Sequence, residues 1–308
     1  MNLSSLARLP MTVLPRRVDA AASPFLRHGR LAARAPAMGR AWLCGLWLAA
    51  CWPAAQAHDT WLVPAADAAA PSDGEQRFEL ATGNRFPVAE VATDPASLIG
   101  AQCADAEGRK TRLRPVRTEP RWLLLAYRAP WRGGPAQSCW LEWKAYDVEV
   151  EPPLVQTYFQ EIRAPQAVRD TWAAMLSRGM SWLETFRKFA RTELAGARAL
   201  TPEQRERLRQ PVGHALEIVI LGSEPVGVGN ELRFRVLRDG QPLANFPVEF
   251  VNDQNPLGVW RQSDDKGELS LRLPFAGRWV LRGTDLRLDE RNPARWQSRF
   301  VTLLVEAR

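Results

Sequence analysis

The chain has 308 residues, with 41 Lys and Arg against 34 Asp and Glu and a formal net charge of +7 at pH 7. The excess is unevenly placed: seven Arg (8, 16, 17, 27, 30, 34 and 40) and one Asp (19) fall in residues 1–57, leaving 34 basic and 33 acidic side chains in the rest. A near-neutral body removes the electrostatic argument for a nucleic-acid or anionic-membrane partner, and no segment after the leader approaches the ~20 apolar residues of a membrane-spanning helix.

Residues 1–37 are rich in Arg and Ala and lack the alternation or caps of a folded unit. They precede Met38, which heads MGRAWLCGLWLAACWPAAQA. Arg40 gives a positive n-region, Ala41 to Trp52 an apolar run too short to span a bilayer, and Pro53 a break. Ala55-Gln56-Ala57 offers the small-x-small pattern that signal peptidase admits. Residues 38–57 are expected to be a secretory signal peptide. Residues 1–37 are then either a start placed too early, the preferred reading, or a long n-region. Cleavage after Ala57 makes His58 the mature N-terminus. Leu48-Ala49-Ala50-Cys51 also fits a lipobox, which would leave a lipidated Cys51 there instead. Both readings put the protein outside the cytoplasm, in the periplasm.

Cys44 and Cys51 belong to the leader, so only Cys103 and Cys139 remain. Two cysteines in an oxidising compartment are expected to form one disulfide. On the chain-entropy picture such a loop contributes about 3–4 kcal/mol. A two-thiolate metal site is the alternative.

Residues 58–151 read as an N-terminal β-sandwich. Arg77–Leu80, Trp122–Tyr127 and Trp140–Trp143 are strand-like, and Asp73-Gly74, Glu107-Gly108 and Gly133-Gly134 are turns between strands. The strands holding Cys103 and Cys139 are expected to face each other across two sheets. Residues 152–211 read as helical. Pro152-Pro153 opens a first helix with Leu154, Tyr158 and Ile162 on one face, and Pro165 stops it. A second runs from Gln166 to Arg178 and ends at Gly179. Ser181-x-x-Glu184 is a capping-box pattern that predicts a third helix to about Leu194, with Trp182, Phe186, Phe189 and Ala190 inward and Arg187, Lys188 and Arg191 on a solvated face. Thr201-Pro202-Glu203-Gln204 opens a short fourth.

Residues 212–308 return to strict alternation: Leu232, Phe234 and Val236; Val248 and Phe250; Leu269, Leu271 and Leu273; Trp279 and Leu281; Val301, Leu303 and Val305. Turns at Asp239-Gly240 and Asp265-Lys266-Gly267 separate these strands, which indicates a second antiparallel sandwich. The fold class is thus mainly β with a helical insert, as two β-sandwich domains.

The order SDDKGELSLRLPFAGRWVL resembles transthyretin-like and carboxypeptidase-regulatory-like modules. Three features together, HDTWLVP after the signal peptide, the WLETFRKFARTEL segment, and a C-terminal part running from GHALEIV to GRWVLRGTDLRL and RWQSRFVTLLVE, resemble a group of exported bacterial proteins once labelled a nickel-transport complex subunit (NikM-like). That resemblance spans nearly all of the mature chain and implies handling of nickel or cobalt outside the cytoplasm. It does not imply a permease, because the membrane segments of one are absent. Where related proteins often carry a His, this chain has Asp285 in Gly283-Thr284-Asp285-Leu286, a harder oxygen ligand.

Two histidines remain after the leader, His58 and His214. An N-terminal His58 can chelate one metal ion through its α-amine and Nδ1, and a second imidazole, from His214, would complete a site favouring copper or nickel. Asp59 and Asp285 are auxiliary oxygen donors. The bland readings stand beside these: His58 as simply a first residue, and His214 as a strand-edge histidine bonded to a carbonyl. No G-x-S-x-G, H-E-x-x-H, P-loop or C-x-x-C is present, and nothing positively indicates an enzyme. The ten tryptophans beyond the leader read as core packing, with an aromatic platform for glycans as the functional alternative. The sequence therefore points to a periplasmic metal-binding accessory protein for nickel, cobalt or copper, working with a membrane metal transporter. The second reading is a metal-free structural, ligand- or glycan-binding module.

Overall fold

A computed structural model describes residues 59–65, 74–128, 136–196, 198–255 and 257–308. In chain order the strands are β1 (Asp59–Pro64), β2 (Glu75–Gly83), β3 (Val91–Ala92), β4 (Leu98–Asp105), β5 (Lys110–Arg112), β6 (Arg114–Thr118), β7 (Trp122–Arg128), β8 (Gln137–Trp143) and β9 (Tyr146–Val150). Helices α1 (Pro152–Glu161) and α2 (Gln166–Leu176) follow, then β10 (Trp182–Leu194) and α3 (Pro202–Leu208). The rest is β11 (Leu216–Leu221), β12 (Glu231–Arg238), β13 (Gln241–Pro242), β14 (Pro247–Asn252), β15 (Val259–Gln262), β16 (Glu268–Arg272), β17 (Gly277–Asp289) and β18 (Asn292–Ala307).

The protein is mainly β, and its organising layer is a nine-stranded sheet ordered β15-β14-β17-β18-β10-β8-β4-β5, with β9 pairing β10 alongside β8. This sheet takes strands from all three segments read from the sequence, so the two sandwiches share one central layer. On one side, alternation along the C-terminal strands aims Leu232, Phe234, Val248, Phe250, Leu281, Leu303 and their neighbours into one cluster under the sheet of β11, β12, β13 and β16. On the N-terminal half, Phe78, Leu80 and Leu125 from the sheet β1-β2-β7-β6 meet Leu141 and Trp143. β1 is buried on both faces: Leu62 enters that cluster, whereas Trp61 and Val63 pack with Val280 and Leu304. A third cluster lies where α1 and α2 cover one end of the central sheet, around Phe159, Trp172, Trp182 and Trp296. Trp61, Trp172, Trp182, Trp279 and Trp296 are all core residues, as the packing reading of the tryptophans expects.

Helices α1, α2 and α3 fall where expected, and α3 carries the full capping box between Thr201 and Gln204. The third predicted helix is a correction. Residues Trp182–Leu194 are strand β10, paired in parallel with β18 on one edge and antiparallel with β9 and β8 on the other. Its expected solvated face goes with it, since Arg191 is only 2 % exposed. Long-range pairing along both edges, interrupted only between β9 and β8, outweighs the weak local helix preference of Leu, Glu, Arg and Lys.

The disulfide joins Cys103 and Cys139, but not across two sheets. The two residues sit directly opposite each other on the adjacent strands β4 and β8, with Cα atoms 4.0 Å apart. It therefore ties two strands of one sheet. Among the described residues no helix is long and apolar enough to cross a membrane.

Candidate functional site

The cavity nearest the start of β1 is small, about 50 Å³, and is walled by five separate stretches of chain: Asp59, Asn84, Glu161 with Ile162, Trp260, and Arg282 to Thr284. β1 begins at Asp59, which is 6 % exposed because its strand is covered on both faces. Its carboxylate pairs with Arg282, which also donates from Nε to Glu249 Oε2 at 2.7 Å and from Nη1 to the Asn84 carbonyl at 3.2 Å. Two carboxylates around one guanidinium more than offset the cost of burying it, and the Arg282 pKa is raised as a result.

The remaining walls come from other elements. Glu161 closes α1 and makes no ion pair among the described residues, and burial pushes its carboxyl pKa up. Trp260 on β15 is capped by Arg163, whose guanidinium carbon lies 4.4 Å from the ring centroid. Gly258 leaves room for the Glu249 side chain: a Cβ there would overlap the carboxylate that holds Arg282. Lys188 lies nearby in the fold, its ammonium over the rings of Phe186 and Phe300 at 5.5 and 5.6 Å. Burial pulls its pKa down to about 8, against the opposing attraction of Asp59.

Residues 197–284 match a family described as "Domain of unknown function (DUF4198)". No curated protein matches the chain. The matched stretch takes in α3 and the C-terminal strands to the middle of β17, so it includes the Trp260 and Arg282 walls of the cavity but not Asp59 or Glu161.

The residues singled out from the sequence fare differently. His58, the leader and Cys51 lie outside the described residues. His214 is 7 % exposed, in the turn before β11, and packs on Phe189 with ring centroids 5.2 Å apart. Burial, with Arg191 and Arg187 facing it, holds its pKa down at about 3, so the ring is neutral at ordinary pH. Asp285 is also buried, and its two oxygens meet Arg238 Nε and Arg287 Nε at 2.9 and 2.8 Å. Both oxygens are thus committed to cations. Among the described residues, no three of His, Cys, Asp and Glu converge as a metal cage would require.

Sequence reasoning missed Glu161 and Arg282 as site residues. Arg282 breaks the apolar run of Trp279 to Leu281, and a lone Arg in such a strand was the available signal. Glu161 gave none, since a helix-terminal Glu is common on surfaces.

Proposed function

We propose that this protein acts outside the cytoplasm as an accessory that binds nickel, cobalt or copper and passes it to a membrane transporter. The observation that supports this most is the position of Asp59. It is buried in the wall of a small polar cavity that also takes the unpaired Glu161, and it directly follows His58. In the sequence His58 is joined directly to Asp59, the residue in that wall. Amine and imidazole nitrogens suit these ions, and Glu161, with Asp59 Oδ1 while Oδ2 holds Arg282, adds oxygen donors of the kind that complete such a set. Asp59 and Glu249 offset Arg282, which keeps its positive charge from opposing a cation there.

The resemblance of HDTWLVP and the C-terminal module to nickel-associated exported proteins supports the same reading. His214 and Asp285 have no part in it, because each is already packed or paired elsewhere.

The test is a titration of Ni²⁺ and Cu²⁺ into three proteins: one starting at His58, one with a single extra residue before it, and His58→Ala. The extension turns the amine into an amide and should weaken binding by about tenfold or more. Both donors must lose protons to the metal, so affinity should fall as pH drops through ~6.5. Equal affinity in all three proteins, or a mature N-terminus at Cys51, would overturn the reading.

A further inference from the structure

A second and larger cavity, about 260 Å³, lies at the far end of β10. Its origin is local. β10 ends at Leu194, the chain leaves the sheet, and the Thr201 capping box turns it back into α3, leaving a gap between sheet end and helix. Leu194, Leu200, Leu208 and Val226 give the gap apolar walls.

Two cations that line it make no ion pair among the described residues. Arg205 on α3 is held by backbone alone, donating to the Ser223 carbonyl and, at 2.6 Å, to the Leu200 carbonyl. Arg198 is exposed at the rim and makes no ion pair among the described residues. The other charges in the wall are balanced. Glu193 meets Arg191 at 3.1 Å and Arg209 at 3.6 Å, and Glu306 meets Arg308 at 3.2 Å. Of the charged residues lining the cavity, Arg198 and Arg205 are thus the ones with no ion pair among the described residues.

We infer that this cavity binds a small amphipathic anion, with its acidic group at Arg198 and Arg205 and its apolar body between Leu194, Leu200, Leu208 and Val226. The volume is just below the ~300 Å³ at which sites for drug-sized ligands begin, which suits a short-chain carboxylate rather than a full lipid. An apolar pocket with a few convergent polar groups is the usual form of such a site. The site shares no residue with the Asp59 cavity and does not depend on the metal reading.

The probe is sodium octanoate, titrated calorimetrically into the mature chain beside 1-octanol and octylammonium. Octanoate should bind with a Kd of about 1 mM or tighter, and the neutral and cationic chains about tenfold more weakly or not at all. Arg198→Glu, a change at an exposed position, should weaken octanoate by about tenfold, whereas Arg114→Glu on the exposed strand β6 should leave it unchanged. Val226→Trp, checked for folding by circular dichroism, should fill the cavity and abolish binding. The inference is overturned if octanoate does not bind, if the three chains bind alike, or if Arg198→Glu behaves as the parent protein does.

Discussion

Arg191 and Glu217 form an ion pair sealed from solvent, Nη1 to Oε1 at 2.9 Å, with side chains 2 % and 3 % exposed. Arg191 also donates to Ser138 Oγ and to the carbonyls of Leu208 and Gln210, and Glu217 accepts from the backbone N–H groups of Val212 and Gly213. One guanidinium thus fastens β10 to β8, to the end of α3 and to β11. Removing Glu217 takes away the more deeply buried of the two carboxylates on Arg191 and leaves only Glu193, which is shared with Arg209, to balance it. Glu217→Ala should therefore cost about 3–5 kcal/mol, against at most about 1 kcal/mol for Glu231→Ala in the exposed Arg272–Glu231 pair. Urea unfolding of the two variants measures the difference.

The Cys103–Cys139 bond is the second prediction. It closes a separation of 36 residues, and its loss from the double Ala variant should cost roughly 2–4 kcal/mol. Unreduced protein should give one cross-linked peptide pair by mass spectrometry. Two freely alkylated thiols in unreduced protein would contradict it.

His214 sets a pH dependence whose sign follows from its neutral buried ring. In the unfolded chain it takes up a proton as pH falls below about 6.5, whereas in the fold it resists until about 3. Stability contributed above 6.5 is therefore lost through that window, at up to about 1.4 kcal/mol per pH unit. Glu184, whose pKa burial raises although Ser298, Trp182 and Tyr158 all donate to it, works in the opposite direction. It takes up its proton more readily in the fold, so its contribution is present in acid and lost as pH rises above the ordinary carboxyl range. The comparison that isolates the histidine is His214→Phe against the parent, by chemical denaturation from pH 7 to pH 4. The gap between the two curves should change in favour of the variant as pH falls, and parallel curves would contradict the prediction.

Two glycines in strands of the same sheet should respond oppositely. A Cβ at Gly283 would stand 2.5 Å from Phe246 Cε1 and 2.8 Å from the Pro247 carbonyl, whereas at Gly100 it meets nothing within 4 Å. Gly283→Ala should cost about 1–3 kcal/mol through overpacking, and Gly100→Ala should be neutral or stabilising by about 0.5 kcal/mol. Thermal melts of the pair distinguish them.

The C-terminal strands were legible because each has one buried face, so Leu232-x-Phe234-x-Val236 and Val301-x-Leu303-x-Val305 carry a period of two. β10 hides that period. Phe189 to Thr192 are buried consecutively because both sides of the strand are covered, and the spacing of Trp182, Phe186, Phe189 and Ala190 then imitates a helical face. Trp182, Thr185, Phe186, Phe189 and Thr192 were the counter-signal, being aromatic or β-branched. The Asp59 cavity was illegible for another reason. Its walls come from five segments brought together by sheet pairing, and no spacing rule relates Asp59 to Glu161 or Arg282.

The strand order constrains how this protein can be made. β18 lies between β17 and β10, and among the described residues its parallel ladder with β10 is the only strand pairing that links the N-terminal strands of the central sheet to the C-terminal ones. Until residues 292–307 are available, β10 has an open edge, and β17 is paired on one side only, with β14. An unfinished chain would thus expose two long strand edges at once, the kind of surface that pairs with other chains. The sixteen residues of β18 act as a keystone that closes both edges at once.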